Sequence, residues 1–393
     1  MNRLPLLVSG QPVGELIRAT EFEYLLNYHS TDASAFASLA MPVRAKSYVH
    51  RRLFPLFEMH LPEGYLLAVI RKHFAKLGLK DDFSLLALLA PGLKGRVTLS
   101  DQPPAAERGL SLEDLLRGDQ PTLFGELVER FALRSPLSGV QPKVLAQLLD
   151  KATLQIEDFV VKAWGDDYPH LALNEWLCMS CLRQAKVDVP TFFLSEDERF
   201  FILRRFDRHP QGGYWGFEDF CVLQAKSRDE KYQGSYEQLA KSINVFVSPV
   251  HKQHAMAQFF KAMVLNQLLQ NGDAHLKNFG VLYSGMQDVR LAPIYDVVCT
   301  TAYIKNDVQA LTLQGTKRFL SINLMRRFGT EVCGLTQKQV NALLADCSDG
   351  LRWLSRETAQ LLEAAAPGTR AAMLAHLHGL ANRAIESTAQ KPN

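Results

Sequence analysis

The feature that most constrains this chain is the run from His254 to Gln270, where Met256, Phe259, Phe260, Met263, Val264, Leu265 and Leu268 recur at helical spacing over a broad face. An aromatic and methionine stripe of this kind belongs to a core. Asn271-Gly272 reads as a C-terminal stop, which places Asp273 just past the helix end, in a loop held by a rigid element. Over Asn271-Gly-Asp-Ala-His-Leu-Lys-Asn-Phe279 that loop offers a carboxylate at Asp273, a cation at Lys277 and an amide oxygen at Asn278. Those residue types suit the handling of phosphate and a hard metal ion.

A core of this kind needs a chain that can bury it. At 393 residues the protein is long enough for two or three domains, and 47% hydrophobic against 22% charged residues is a globular composition. The net charge of +3 is too mild to make nucleic acid or an anionic membrane the main partner. The first ten residues lack the pattern of a secretory signal and no run reaches the roughly 18 apolar residues of a spanning helix, so a cytoplasmic protein with no membrane partner is expected. Cys178 and Cys181 form a C-x-x-C, but inside the expected helix Asn174 to Lys186 and with no second pair at zinc spacing. They read as buried structural thiols.

The chain opens with an expected hairpin over residues 6–18, turning at Ser9-Gly10-Gln11-Pro12, and a strand near Phe22 to Tyr28. A helix is expected over Leu66 to Leu77, and Asp81-Asp82-Phe83-Ser84 opens another that Pro91 and Gly92 stop. The Pro- and Gly-rich stretch 100–120 marks a junction, with a boundary at about 120 to 130. Beyond it the order is a Ser/Gly loop (Ser135 to Lys143), a strand (Val144 to Leu149), a strand ending in Lys162, a helix opened by Asn174-Glu175, and two strands around Ser195-Glu-Asp-Glu198. The pattern then turns helical, with Lys226 to Gly234 expected to be exposed and mobile. Helices from Leu335 to Ala389 should break near Ser348-Asp349-Gly350 and Pro367-Gly368.

Three distant pieces answer the loop at Asp273. Its five-residue step to Asn278 equals the Asp-to-Asn step of the protein-kinase catalytic loop, where the aspartate orients the attacking hydroxyl and the asparagine holds magnesium. Phe159-Val-Val-Lys162 is a short apolar strand ending in a lysine, as kinases hold the lysine that contacts ATP phosphates. Taken singly, such a lysine also snorkels from many strand ends. A hairpin turning at Ser284-Gly285 returns Pro293-Ile-Tyr-Asp296 toward the loop and supplies a second carboxylate. Ser138-Gly-Val-Gln-Pro-Lys143 can lay backbone N–H groups on phosphate, although its residues are ordinary turn formers too.

Taken in order, Ser138-Gly-Val-Gln-Pro-Lys143, Val161-Lys162, Asn174-Glu175, Arg205-Phe-Asp-Arg208, Glu218-Asp219-Phe220, Asn271 to Phe279 and Tyr295-Asp296 resemble the HipA-type serine/threonine kinase toxins of type II toxin–antitoxin systems. Leu61-Pro-Glu-Gly64 and Asp81-Asp82-Phe83 are similar to the N-terminal domain of that family. The resemblance implies an α+β, bilobal kinase-like fold: a HipA-like N-terminal α/β domain over 1–128, an N-lobe over 129–208 and a mainly helical C-lobe over 209–393. It implies phosphorylation of a protein, an aminoacyl-tRNA synthetase, that arrests translation, and a helix-turn-helix, HipB-like antitoxin through which operator DNA is reached. By the same resemblance ATP and Mg2+ are the cofactors. Asp273 would be the catalytic base, with Lys162 on the phosphates and Asn278 and Asp296 on the metal. Ser138, Gly139, Val140, Gln141, Pro142, Lys143, Arg204, Arg205, Phe206, His275, Lys277 and Tyr295 would surround the nucleotide. Pro136 stands where the family carries its autophosphorylated serine, leaving Ser138 and Ser135 as candidates. A small-molecule phosphotransferase and an inactive kinase-fold regulator of an antitoxin–DNA complex stay open as alternatives.

Overall fold

The computed structural model describes residues 2–63, 67, 81–101, 110–117, 143–150 and 155–389. The expected helix 66–77 apart from Leu67, the junction at 120–130 and the loop carrying Ser135, Pro136, Ser138, Gly139, Val140, Gln141 and Pro142 lie outside them. In chain order the strands are β1 (Arg3–Val8), β2 (Gln11–Thr20), β3 (Glu23–Tyr28), β4 (Tyr48–His50), β5 (Val97–Thr98), β6 (Leu110–Ser111), β7 (Lys143–Asp150), β8 (Gln155–Ala163), β9 (Phe192–Leu194), β10 (Phe200–Arg204), β11 (Gly216–Asp219), β12 (Gly280–Gly285) and β13 (Asp288–Leu291). The chain divides into two compact units, the first made of 1–163, 195–230 and 281–289, the second of 164–194, 231–280 and 290–393.

In the first unit one sheet runs β4-β3-β2-β1-β5. Val8 pairs Gln11 across a two-residue turn in which Ser9 and Gly10 both take positive φ, at 50° and 77°, the conformation that matches the twist of a tight hairpin. The expected hairpin is present, with its turn shortened to Ser9-Gly10. In a second sheet β7 pairs antiparallel with β8, and β8 with β10. The third sheet, β11-β12-β13, carries Glu218 and Tyr283.

Glu218 ties the N-terminal segment to this third sheet. It is fully buried and accepts from Ser38 Oγ at 2.5 Å, Leu39 N at 2.8 Å and Tyr283 Oη at 2.8 Å. Arg96 backs the cluster, lying 4.2 Å over the Phe36 ring while donating to the carbonyls of Ser34 and Phe36. Burial pushes the Glu218 carboxyl up to about 7, against the three donors that favour its ionised form. The folded state therefore holds this proton more tightly than the unfolded chain, whose carboxyl titrates near 4.5. The stability it contributes is present below that value and fades as pH rises through about 7, an effect of up to about 3 kcal/mol. Glu218→Gln should flatten this part of the pH dependence of thermal unfolding between 4.5 and 7; superimposable profiles for the two proteins would show that Glu218 does not carry it.

The second unit is mainly helical. Helix α1 (Leu171–Gln184), α2 (Tyr236–Phe246), α3 (Lys252–Leu268), α4 (Ile322–Glu331), α5 (Gln337–Glu363) and α6 (Thr369–Ala389) make it up. The core reading of α3 holds, since twelve of its residues from Ala255 to Gln267 are buried. Around Phe259 gather Tyr236, Phe279 and Phe328, with ring centroids 5.9 to 6.4 Å apart. The same aromatic cluster thus fixes α3 and Phe279, the residue that ends the charged loop.

Two expectations are corrected here. Helix α5 runs unbroken through Ser348-Asp349-Gly350. A Cβ on Gly350 would stand 2.4 Å from the Cys181 carbonyl oxygen, so this glycine permits close packing on α1 rather than a turn. Helix α1 begins at Leu171, three residues before Asn174-Glu175, and both of these are fully buried. Cys178 and Cys181 are buried free thiols in α1, and burial pushes both up, as a structural role requires.

Candidate active site

Helix α3 ends at Leu268 with Leu269 as its C-cap, and the left-handed residue that turns the chain is Gln270, at φ 53°. Gly272, read as the stop, has a different task. A Cβ there would lie 1.9 Å from Asp307 Oδ2 and 2.8 Å from Thr300 Oγ1, so only glycine lets the loop approach so closely. Thr300 Oγ1 accepts from Gly272 N at 2.8 Å and donates to the Gln270 carbonyl at 3.2 Å. Asn271 donates to Asn266 Oδ1 at 2.8 Å, and its own oxygen accepts from Asp273 N at 3.0 Å. Every residue from Gln270 to Asp273 is therefore held by a hydrogen bond from its backbone or side chain.

Asp273 reaches Tyr232, whose hydroxyl donates to Oδ1 at 2.8 Å. Asn278, nearly buried, accepts from His275 N at 3.0 Å and donates from Nδ2 to Asp296 Oδ2 at 2.7 Å. The structure thus brings together Asn278 and Asp296, eighteen residues apart in sequence. Asp296 sits at φ 63°, a left-handed conformation uncommon for a residue with a side chain and concentrated at functional sites. Tyr295 donates to the Lys277 carbonyl at 2.6 Å, which ties the Asp296 segment to the loop a second time.

A third tie was not legible in the sequence. Asn174 Oδ1 accepts from Cys299 N at 2.8 Å and its Nδ2 donates to the Cys299 carbonyl at 3.1 Å. One buried side chain on α1 thereby clamps both backbone groups of a residue three positions beyond Asp296. Nothing in the local sequence marks this, because the partners stand 125 residues apart.

In the first unit Lys162 is buried on β8, with Nζ 5.6 Å from the centroid of the Phe201 ring. Its cross-strand partner on β7 is Lys143. Directly opposed residues share a sheet face, and two like charges in such a pair repel. The placement concentrates positive charge on one patch of sheet. Arg204 pairs with Glu157 at 2.6 Å, Phe206 stacks edge-on to Phe217, and Arg205 binds Asp207 while donating to the Lys94 carbonyl at 3.1 Å. Asp158, one of the most buried carboxylates, accepts from Lys94 at 3.1 Å and Tyr214 at 2.7 Å. Burial alone would raise its carboxyl, but Lys94 and Arg205 outweigh it and hold it below the ordinary value. The guanidinium of Arg205 is thus part of a charge network that braces β8.

The segment Lys226 to Gly234, read as exposed, is anchored. Ser227 and Lys231 are buried, Arg228 N donates to Glu58 at 2.9 Å and its guanidinium to Asp82 at 2.9 Å. The Lys231 carbonyl accepts from Leu276 N at 3.1 Å, so in the second unit this stretch is stitched to the charged loop.

A metal ion has chemistry to bind here. Asp296 offers a carboxylate and Asn278 an amide oxygen, a hard all-oxygen pair, but here Asn278 turns its Nδ2 to Asp296 while its oxygen accepts from His275 N, so the amide would have to turn over to join Asp296 on a metal ion. Among the described residues no cluster of three or more His, Cys, Asp or Glu forms a metal cage. Magnesium is commonly held in this way, by one or two carboxylates with the remaining places left to waters and substrate phosphates. Among the described residues no helix is long and apolar enough to cross a membrane.

The HipA-like C-terminal domain family matches residues 135–352, and the HipA N-terminal domain family matches 4–100. "Putative kinase Y4dM" of Sinorhizobium fredii is 29% identical over 301 residues, 68% of each protein. A "Putative kinase" of Haemophilus influenzae is 30% identical over 187 residues, 42% of this chain and 53% of that one. Among solved structures, HipA of Shewanella oneidensis MR-1, determined with HipB and operator DNA, superposes with a TM-score of 0.69 over 98% of this chain and 96% of that one, at 20% identity. That likeness gives the fold, the mixed sheet-and-helix architecture of HipA.

Proposed function

The chain belongs to the HipA family, and from that premise we propose that it is an ATP- and magnesium-dependent serine/threonine protein kinase acting as the toxin of a toxin–antitoxin pair. The observation that supports the reading is the contact of Asn278 with Asp296 at 2.7 Å, on the loop that Asp273 begins after α3, with the Asp296 segment pinned by Tyr295 and Asn174. Asp273 is placed in a loop whose backbone is fixed on each side, as a base must be if it is to meet a hydroxyl in one geometry.

In the reaction the acceptor hydroxyl attacks the γ-phosphorus, Asp273 takes its proton, and ADP leaves. Asn278 and Asp296 would hold magnesium, which supplies charge neutralisation on the phosphates. Lys162 and Lys143, cross-strand neighbours on β8 and β7, are proposed to add positive charge toward the phosphates. His275, Lys277, Tyr295, Arg204, Arg205, Phe206 and the loop from Ser138 to Lys143 are proposed around the nucleotide. A small helix-turn-helix antitoxin is the proposed partner, with operator DNA reached through it, and an aminoacyl-tRNA synthetase the proposed target. Ser138 and Ser135 are the serines proposed for loop autophosphorylation.

The test is phosphate transfer from labelled ATP to dephosphorylated casein by the purified chain, followed by phosphoproteomics in cells expressing it without an antitoxin. Transfer should require magnesium, and Asp296→Asn should lower it by a factor on the order of 10² through lost stabilisation of the transferred group. An Asp296→Asn protein as active as wild type would remove Asp296 from the metal site. Absence of ATP turnover and of new phosphoproteins would overturn the kinase reading.

A further inference from the structure

Tyr232 holds the bond that an acceptor hydroxyl would need. Its phenol donates to Asp273 Oδ1 at 2.8 Å, inside the 2.6–3.2 Å range within which a general base meets the proton it removes. The side chain does not reach there by a chance swing of a loose loop. Lys231 just before it is buried and its carbonyl accepts from Leu276 N at 3.1 Å. The Tyr232 ring packs edge-on against His275, with centroids 5.1 Å apart. Backbone and ring are thus both fixed on the loop that carries the base, while the residue stays 40% exposed.

We propose that Tyr232 is an intramolecular phosphoacceptor. The inference rests on the phosphoryl-transfer part of the kinase reading above and adds a tyrosine acceptor to the serines and threonines proposed there. Tyr232 Oη attacks the γ-phosphorus of ATP, a new O–P bond forms as the bond to the ADP oxygen breaks, and the phenol proton passes to Asp273 Oδ1. A bonded phenol is a suitable nucleophile because its proton already lies on the line to the carboxylate, so the step begins from a formed hydrogen bond. The product ester carries nearly two negative charges next to the Asp273 carboxylate. The ester, held at the loop by the Lys231 backbone and the His275 ring, puts its charge and bulk beside the base, and transfer to other acceptors slows as the modified fraction grows.

The experiment uses the full chain with magnesium and ATP, digestion, and mass-spectrometric location of phosphate. Phosphotyrosine at Tyr232 is expected, forming at a rate independent of protein concentration, and absent from Tyr232→Phe. In a mixture of wild-type and Asp273→Asn chains, only the wild-type chain should carry the label at Tyr232, since the acceptor and its base lie in one molecule. Transfer to casein by the wild type should fall several-fold over the same time course. If casein is phosphorylated while Tyr232 stays unmodified, the acceptor role is wrong and the kinase reading stands. Label on Tyr232 of the Asp273→Asn chain would show transfer between molecules and overturn the intramolecular step. If neither casein nor the chain gains phosphate and ATP is not consumed, the kinase reading fails and this proposal with it.

Discussion

Asp273→Asn is expected to abolish phosphate transfer while leaving the chain folded, a loss on the order of 10² to 10⁴ in turnover from the base alone. The substitution is nearly isosteric. It keeps an oxygen for the Tyr232 hydroxyl, and the backbone bond from residue 273 to Asn271 Oδ1 at 3.0 Å does not depend on the side chain. The loop should hold its shape because Gly272, Asn271 and Thr300 fix it independently. What is lost is a group that can take a proton at neutral pH. Labelled transfer to casein and a thermal melt, measured on the same preparation, check both halves of the expectation. In cells, expression without an antitoxin should arrest growth for the wild type and not for the variant. A variant with full transfer would remove Asp273 as the base, and equal toxicity of the two would point away from phosphoryl transfer as the cause of arrest.

How far the sequence could be read depended on whether the cause of a feature was local. The charged loop was visible because the apolar period of α3 stops where Asp273, Lys277 and Asn278 begin. Strand β8 with Lys162 and the hairpin at Ser9-Gly10 were visible for the same reason, since strand alternation and turn residues act within a few positions. The start of α1 was hidden because its cap is His170 in a left-handed conformation without a side-chain cap bond, so no capping residue announces Leu171. Gly350 was misread as a break, whereas α3 does end just before Asn271-Gly272, with Gln270 rather than the glycine making the turn. Each glycine is required by a neighbour distant in sequence, the Cys181 carbonyl in one case and Asp307 in the other. The burial of Lys231 in a polar stretch was invisible on similar grounds, because it is the backbone of this segment that docks onto Leu276. Composition describes side chains and says nothing of such bonds.

Asn174 is the case where this matters most for function, and Asn174→Ala is expected to damage stability and catalysis together. The side chain is fully buried and satisfies both backbone groups of Cys299. Removing it leaves a buried N–H and a buried carbonyl without these partners, at about 1–3 kcal/mol each. The midpoint of thermal unfolding should fall by several degrees, roughly 2–4 °C per kcal/mol for a domain of about 200 residues. The larger consequence lies upstream. Asp296 stands in a left-handed conformation, which persists only where its surroundings over-determine it, and the clamp three residues on is one of the bonds that do so. With it gone, Asp296 samples other backbone states, and the proposed metal site loses its geometry in part of the population. Transfer should drop by about 10²-fold, as when a supporting group is removed from around a metal ligand, and the magnesium concentration for half-maximal rate should rise. Asn174→Asp separates the two effects. It keeps an acceptor for Cys299 N, loses the donor to the carbonyl, and adds a buried negative charge. It should therefore melt lower still while the dependence on magnesium shifts less than in Asn174→Ala. If Asn174→Ala melts lower with an unchanged magnesium dependence, Asn174 braces α1 against the Cys299 segment and has no part in setting Asp296.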